Sequence, residues 1–248
     1  MGREQAHRVP ARPARFVARE NRFVIRARLD PDGGPGTEPG AREVRAYLPN
    51  TARLTDVLVP DASLILVPNQ DPGRRTRWTT TRVWDGTWVA LEATAASGLV
   101  SDQLDRGGAL PGWPAVTAFR REVTYGSHRF DLEVDLGDGQ VGIVEVKSLS
   151  RARDGIAPLS GTPSTRGVAH LAALASRAEA GLPSAAVFVV QRGDAEVLDL
   201  DAAADPAWIG AVRRARGAGV HIVAFGCEVT EHTLRLGRQL TVSGARAG

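Results

Sequence analysis

Two short runs suited to buried strands, residues 185–190 and 220–226, each follow a stretch of helical periodicity, and this repeat constrains the fold more than any other feature. A strand reads as a nearly continuous apolar run when helices cover both faces of its sheet. The helical stretches are residues 167–180, with Val168, Leu171, Ala172 and Ala175 on one side, and residues 206–218. Helix then strand, twice over, predicts parallel strands joined by crossovers. Ahead of the repeat, residues 123–125 and 129–136 read as strands, Gly137-Asp138-Gly139 as a turn and residues 140–147 as the returning strand. Residues 113–121 read as helix or loop. The expectation for residues 92–248 is therefore an α/β domain (α+β for the chain as a whole) on a mixed sheet.

The first third has a different rhythm. Short strand-like runs at residues 22–29, 43–48, 63–67, 78–84 and 87–91 alternate with turn signals, including the Gly/Pro-rich stretch from Asp30 to Gly36. About five short strands in so little chain predict a small closed or partly open barrel over residues 16–91. Residues 93–104 read as a helix bridging the two parts. Trp78, Trp84 and Trp88 are expected in the barrel core, since an exposed Trp is costly; exposed, they would offer faces for stacking on bases.

Residues 1–15, rich in Arg and Pro without an apolar stretch, read as a basic flexible tail rather than a secretory signal. No apolar run is long enough to cross a bilayer. Cys227 is the single cysteine, so no internal disulfide forms and a cytoplasmic, reducing setting is expected. The formal net charge of +3 and a sequence pI near 9.7 permit a polyanionic partner without requiring one. More telling is the basic side chain itself: of 31 Lys and Arg residues only Lys147 is a lysine. That marks Lys147 as a candidate for work that a compact ammonium does and a planar guanidinium does not.

If Gly137-Asp138-Gly139 is a three-residue loop, Leu136 faces Gln140, and counting back sets Asp131 opposite Glu145. Cross-strand neighbours lie about 5 Å apart at Cβ. Alternation puts Lys147 on the face of Glu145 and turns Val144 and Val146 to the core. Two facing carboxylates repel, and a hard divalent cation, Mg²⁺ or Mn²⁺, offsets that repulsion. With Lys147 beside them the set can serve metal-assisted phosphodiester hydrolysis. An Asp followed by Glu-x-Lys on the next strand is the signature of PD-(D/E)xK nucleases. The other reading is a solvated strand face, continued by Glu133 and Asp135.

The surrounding residues carry a fuller resemblance. Tyr125-Gly126-Ser127-His128-Arg129-Phe130-Asp131-Leu132, then Val144-Glu145-Val146-Lys147-Ser148-Leu149, then Ser164-Thr165-Arg166-Gly167 with His170-Leu171, resemble the sugar fermentation stimulation protein family. So do Tyr47-Leu48-Pro49-Asn50-Thr51, residues 185–192, Asp205-Pro206 and Gly219-Val220, which extends the likeness over nearly all the chain after residue 15. The resemblance implies an N-terminal OB-type barrel, a PD-(D/E)xK nuclease-like domain, binding of single- or double-stranded DNA, and a role in regulating sugar, particularly maltose, metabolism. Three positions depart from that pattern: Leu159-Ser160-Gly161-Thr162 and Ser164-Thr165 each lack an acid, and Ala52 replaces a glycine. Asp131, Glu145 and Lys147 are intact.

Further residues are read two ways. Glu122 is an additional upstream acid or a surface charge. Arg129, Arg166 and His170 are candidate phosphate or DNA contacts. The last two, four apart on one helix face, otherwise serve to cap and solvate that helix. Arg213, Arg214 and Arg216 form a solvated basic face, and Cys227 a small buried hydrophobe. The leading expectation is a DNA-binding, Mg²⁺-dependent phosphodiesterase; the alternatives are a non-catalytic DNA-binding regulator on a nuclease-like fold, and a nuclease acting on RNA or small nucleotides.

Overall fold

The computed structural model describes residues 11–31, 42–69, 73–159, 165–201 and 206–244. The departures at residues 160–162 and Ser164, most of the stretch after Asp30, and Asp205 lie outside the described residues.

The first compact unit runs to Glu92 and also takes in Thr230–Thr233. Strands β1 (Arg12–Asn21), β2 (Val24–Leu29), β3 (Glu43–Tyr47), β4 (Ser63–Pro68) and β5 (Trp78–Trp84) pair in the order β3-β2-β1-β4-β5. A short parallel pairing, Ala46 opposite Trp78, joins β3 to β5 and closes the barrel. β6 (Trp88–Ala90) extends β5 as a hairpin. Alternation explains the core: Ile25 and Ala27 of β2, Ala46 of β3, and Leu64 and Leu66 of β4 turn inward and are buried, while Arg26 and Arg45 between them face out.

Two expectations change here. β1 begins at Arg12, so Arg12–Arg15 form strand rather than tail, pairing with both β2 and β4 around buried Ala14. Trp84 is not core but 46% exposed, edge-on to Trp88 with ring centroids 5.2 Å apart. Trp78 is half-buried against the barrel core.

The second unit takes in Ala93–Val229 and Leu234 onward. It opens with α1 (Ala95–Asp105), followed by β7 (Val116–Tyr125), β8 (His128–Leu136), β9 (Val141–Leu149) and β10 (Ile156–Pro158). Then come α2 (Thr165–Glu179), β11 (Ser184–Val190), β12 (Val197–Asp199), α3 (Pro206–Gly217), β13 (His221–Val229), β14 (Leu234–Gln239) and β15 (Thr241–Ser243). The main sheet has the order β14-β13-β11-β9-β8-β7. β9, β11 and β13 are parallel, linked by crossovers that contain α2 and α3, and the outer pairings are antiparallel.

One sheet face packs Ile143, Phe188 and Ala224 against Leu171 and Leu174 of α2 and Trp208 and Val212 of α3. The other packs Val144, Val187 and Val223 against Ala96, Val100 and Leu104 of α1. Every residue of β11 is buried, as its apolar run requires. Cys227 is buried in this second layer, as expected of a small hydrophobe. Residues 113–121, expected as helix or loop, instead supply most of edge strand β7, whose side chains are largely exposed. A small parallel sheet, β10-β12-β15, was not anticipated.

Candidate active site

The β8–β9 hairpin sets the geometry. Gly139 takes φ +84°, a conformation costly for residues with a Cβ, and Leu136 N–H donates to the Gln140 carbonyl at 2.9 Å. The ladder pairs Leu132 with Val144 and Glu133 with Ile143. One step further this register brings Asp131 opposite Glu145, and Val146 N–H donates to Asp131 Oδ2 at 2.7 Å. Val144 and Val146 pack into the α1 layer, so the intervening Glu145 and Lys147 face the α2 side.

Glu145 is only 4% exposed. Its Oε1 accepts from Lys147 Nζ and lies 2.7 Å from Nδ1 of His170, a buried residue of α2. The His170 ring is wedged between Phe130, at 5.2 Å, and His128, edge-on at 5.4 Å. With Oε1 doubly engaged, Oε2 of Glu145 is buried without a hydrogen-bond partner. An unsatisfied buried carboxylate oxygen is costly, and a cation is one way to satisfy it. Asp131 shows the same tension. Burial pushes its carboxyl above the ordinary range and the charge of Glu145 adds to this; the Val146 N–H, Lys147 and His170 pull the other way.

Among the described residues no group of three or more His, Cys, Asp or Glu side chains is placed to hold a metal ion. Two carboxylates are nevertheless a fitting set for Mg²⁺, which keeps several waters and shares its shell with substrate phosphates. The orphaned Glu145 Oε2 and the largely buried carboxyl of Asp131 fit that ion.

The other candidates divide. Glu122 lies beside Asp131 in the sheet, bracketed by the pairs Arg121–Leu132 and Val123–Phe130, and takes φ +56°. Its carboxylate, however, bonds Arg129 at 2.5 Å, with both side chains more than half exposed. These two therefore pair with each other. Arg166 is exposed in the first turn of α2. His170, one turn on, turns inward to Glu145 rather than outward to a phosphate. The helix pattern held a signal for this, since His170 falls among the buried positions Gly167, Leu171 and Leu174. Arg213 pairs with Asp201 at 2.7 Å on an exposed face, as a solvated arginine would.

Two family descriptions match in tandem: the SfsA N-terminal OB domain over residues 12–91, and the sugar fermentation stimulation protein RE domain over residues 94–233. A sugar fermentation stimulation protein homolog of Chloroflexus aurantiacus is 35% identical over 234 residues, covering 94% of this chain and 86% of the relative. One of Moorella thermoacetica is 32% identical over 226 residues, covering 90% and 92%. The structure of Pyrococcus furiosus SfsA in complex with Ca²⁺ superposes with a TM-score of 0.74 at 24% identity, covering 94% of this chain and 96% of that one. The chain belongs to the sugar fermentation stimulation protein family.

Proposed function

We propose that this is a DNA-binding protein whose second unit hydrolyses phosphodiesters with the help of Mg²⁺ or Mn²⁺, using Asp131, Glu145 and Lys147. The observation that carries the reading is the orphaned Oε2 of Glu145, a residue set across the hairpin from Asp131 and bonded through Oε1 to the single lysine of the chain. Pyrococcus furiosus SfsA, solved with Ca²⁺, lends support for a divalent ion. The free, buried Cys227 accords with a cytoplasmic setting. No helix among the described residues is long and apolar enough to cross a membrane.

Asp131 and Glu145 would hold the ion through their carboxylate oxygens. Bound there, it supplies Lewis-acid polarisation of a phosphodiester oxygen. Lys147 carries a fixed positive charge to the edge of the site, where it orients an attacking water and stabilises negative charge developing on phosphorus-bound oxygens. His170 positions Glu145 by holding Oε1, which leaves Oε2 for the ion. In the net reaction water adds to phosphorus, one P–O ester bond breaks, and the leaving sugar oxygen takes up a proton.

The test is strand scission of single- and double-stranded DNA, with an RNA arm, by wild type and Lys147→Ala in Mg²⁺, Mn²⁺ or EDTA. Metal-dependent cutting by wild type, reduced at least about a hundredfold in the variant, supports the reading. Equal DNA binding without cutting by either protein refutes catalysis and favours a DNA-binding regulator of sugar metabolism.

A further inference from the structure

The β8–β9 ladder stops at Leu132 opposite Val144, although β8 starts at His128 and β9 runs on to Leu149. Beyond that point β8 keeps only β7 as a ladder partner, and β9 only β11. The two strands fork there, and the Val146 N–H reaches across to the carboxylate of Asp131. A change of layer marks the same place. Strand alternation would turn Phe130 and Leu132 to one face, yet Leu132 packs with the α1 layer and Phe130 with the α2 layer. The free end of the β7–β8 hairpin therefore leans over α2. Two contacts hold it: the Arg177 guanidinium lies 4.6 Å from the centre of the Tyr125 ring, and His128 stands edge-on to His170 at 5.4 Å.

This leaves His128 on the side to which Glu145 and Lys147 also point. One imidazole, that of His170, separates it from Glu145 Oε1. His128 is half-buried, and among the described residues neither of its ring nitrogens has a hydrogen-bond partner. The neighbouring groups are engaged: Lys147 and His170 on Glu145, Glu122 on Arg129, and Tyr125 on Arg177. Phosphodiester hydrolysis has one need that the carboxylates and Lys147 leave unmet. A sugar oxygen leaves poorly until it takes up a proton, and imidazole is the side chain that ordinarily gains and gives one near neutrality.

We propose that His128 is the general acid of the site, donating a ring N–H to the leaving sugar oxygen of a phosphodiester. The proposal rests on the phosphodiesterase reading above and adds to it the proton donor. Water forms the new bond to phosphorus and releases a proton to solvent. The P–O ester bond breaks with its electron pair on the sugar oxygen, which takes the proton of the imidazolium. Solvent then returns a proton to the neutral imidazole.

The experiment compares cleavage, in Mn²⁺, of DNA with an ordinary phosphodiester and of the same DNA with sulfur in place of the bridging oxygen on the 3′ or the 5′ side. Sulfur departs as thiolate and needs no proton. His128→Ala is expected to cut the oxygen substrate at least about a hundredfold more slowly than wild type, and the substrate with sulfur at the leaving position within about threefold of it. Mn²⁺ binding by the variant, followed by electron paramagnetic resonance, stays at wild-type strength, which separates proton donation from support of the carboxylates. His128→Asn, polar but unable to give up a proton near neutrality, repeats the test if the alanine variant does not fold. If wild type cuts the oxygen substrate and the variant keeps pace, the general acid is overturned while metal-dependent cleavage stands. Equal losses on oxygen and sulfur substrates by a folded variant, or loss of Mn²⁺ binding along with activity, also overturn it. Wild type that cuts neither substrate in Mn²⁺ removes both readings.

Discussion

Replacing Asp131 by Asn should stabilise the metal-free protein although it removes a residue of the candidate site. Two carboxylates with Cβ atoms about 5 Å apart repel by about 3 kcal/mol at an effective dielectric constant of about 20. The Lys147 ammonium on Glu145 and the Val146 N–H on Asp131 offset part of this. Asn keeps the acceptor for Val146, so we expect a net gain of about 1–2 kcal/mol. For a unit of this size that raises the melting temperature by about 2–8 °C in EDTA, read by circular dichroism. The pH dependence has a fixed sign. Burial, and then Glu145, raise the Asp131 carboxyl, so the folded state holds that proton more tightly than the unfolded chain. Wild type therefore loses stability as pH rises from the ordinary carboxylate value through the raised one, and the advantage of Asp131→Asn fades below that window. Metal reverses the order: Mg²⁺ at about 100 times its dissociation constant adds about 2.7 kcal/mol to wild type alone. A variant no more stable than wild type in EDTA at neutral pH would refute the claim that these carboxylates oppose each other.

Other substitutions probe the supports of the site. His170→Ala removes a buried partner of Glu145 Oε1 and should cost about 1–3 kcal/mol in urea unfolding, with weaker divalent-ion binding. Gly142→Ala should cost about 1–3 kcal/mol, because a Cβ there would meet the Trp113 ring at 2.6 Å. Leu174→Ala, fully buried between α2 and the sheet, should cost about 2–5 kcal/mol and lower the melting temperature of the second unit.

What the sequence revealed follows from the range of the forces involved. The Asp131–Glu145 juxtaposition was legible because a short Gly-Asp-Gly loop and the two-residue period of strands fix a hairpin register locally. The parallel core strands were legible because burial on both faces forces an apolar run. Strand β7 was not, because an edge strand exposed on most of its length, with Arg120, Arg121 and Glu122 in its middle, has no alternation to read. Nor was Arg12–Arg15, an Arg/Pro stretch held as strand by pairing with β4 some fifty residues away. Three-residue strands such as β10 and β12 are too short for a local signal. His170 was singled out, but as a phosphate contact. The spacing of Gly167, His170, Leu171 and Leu174 set it on the inward face of α2, and the folded layers supply its partner, Glu145 of β9.

The most direct test of the carboxylate site is Mn²⁺ binding counted by electron paramagnetic resonance, with Mg²⁺ as competitor, on wild type, Asp131→Asn and Glu145→Gln. We expect wild type to bind Mn²⁺ displaceably and both variants to lose that binding while remaining folded. Wild type that binds no Mn²⁺, or variants that bind it as tightly as wild type, would contradict the assignment of Asp131 and Glu145 as a metal site.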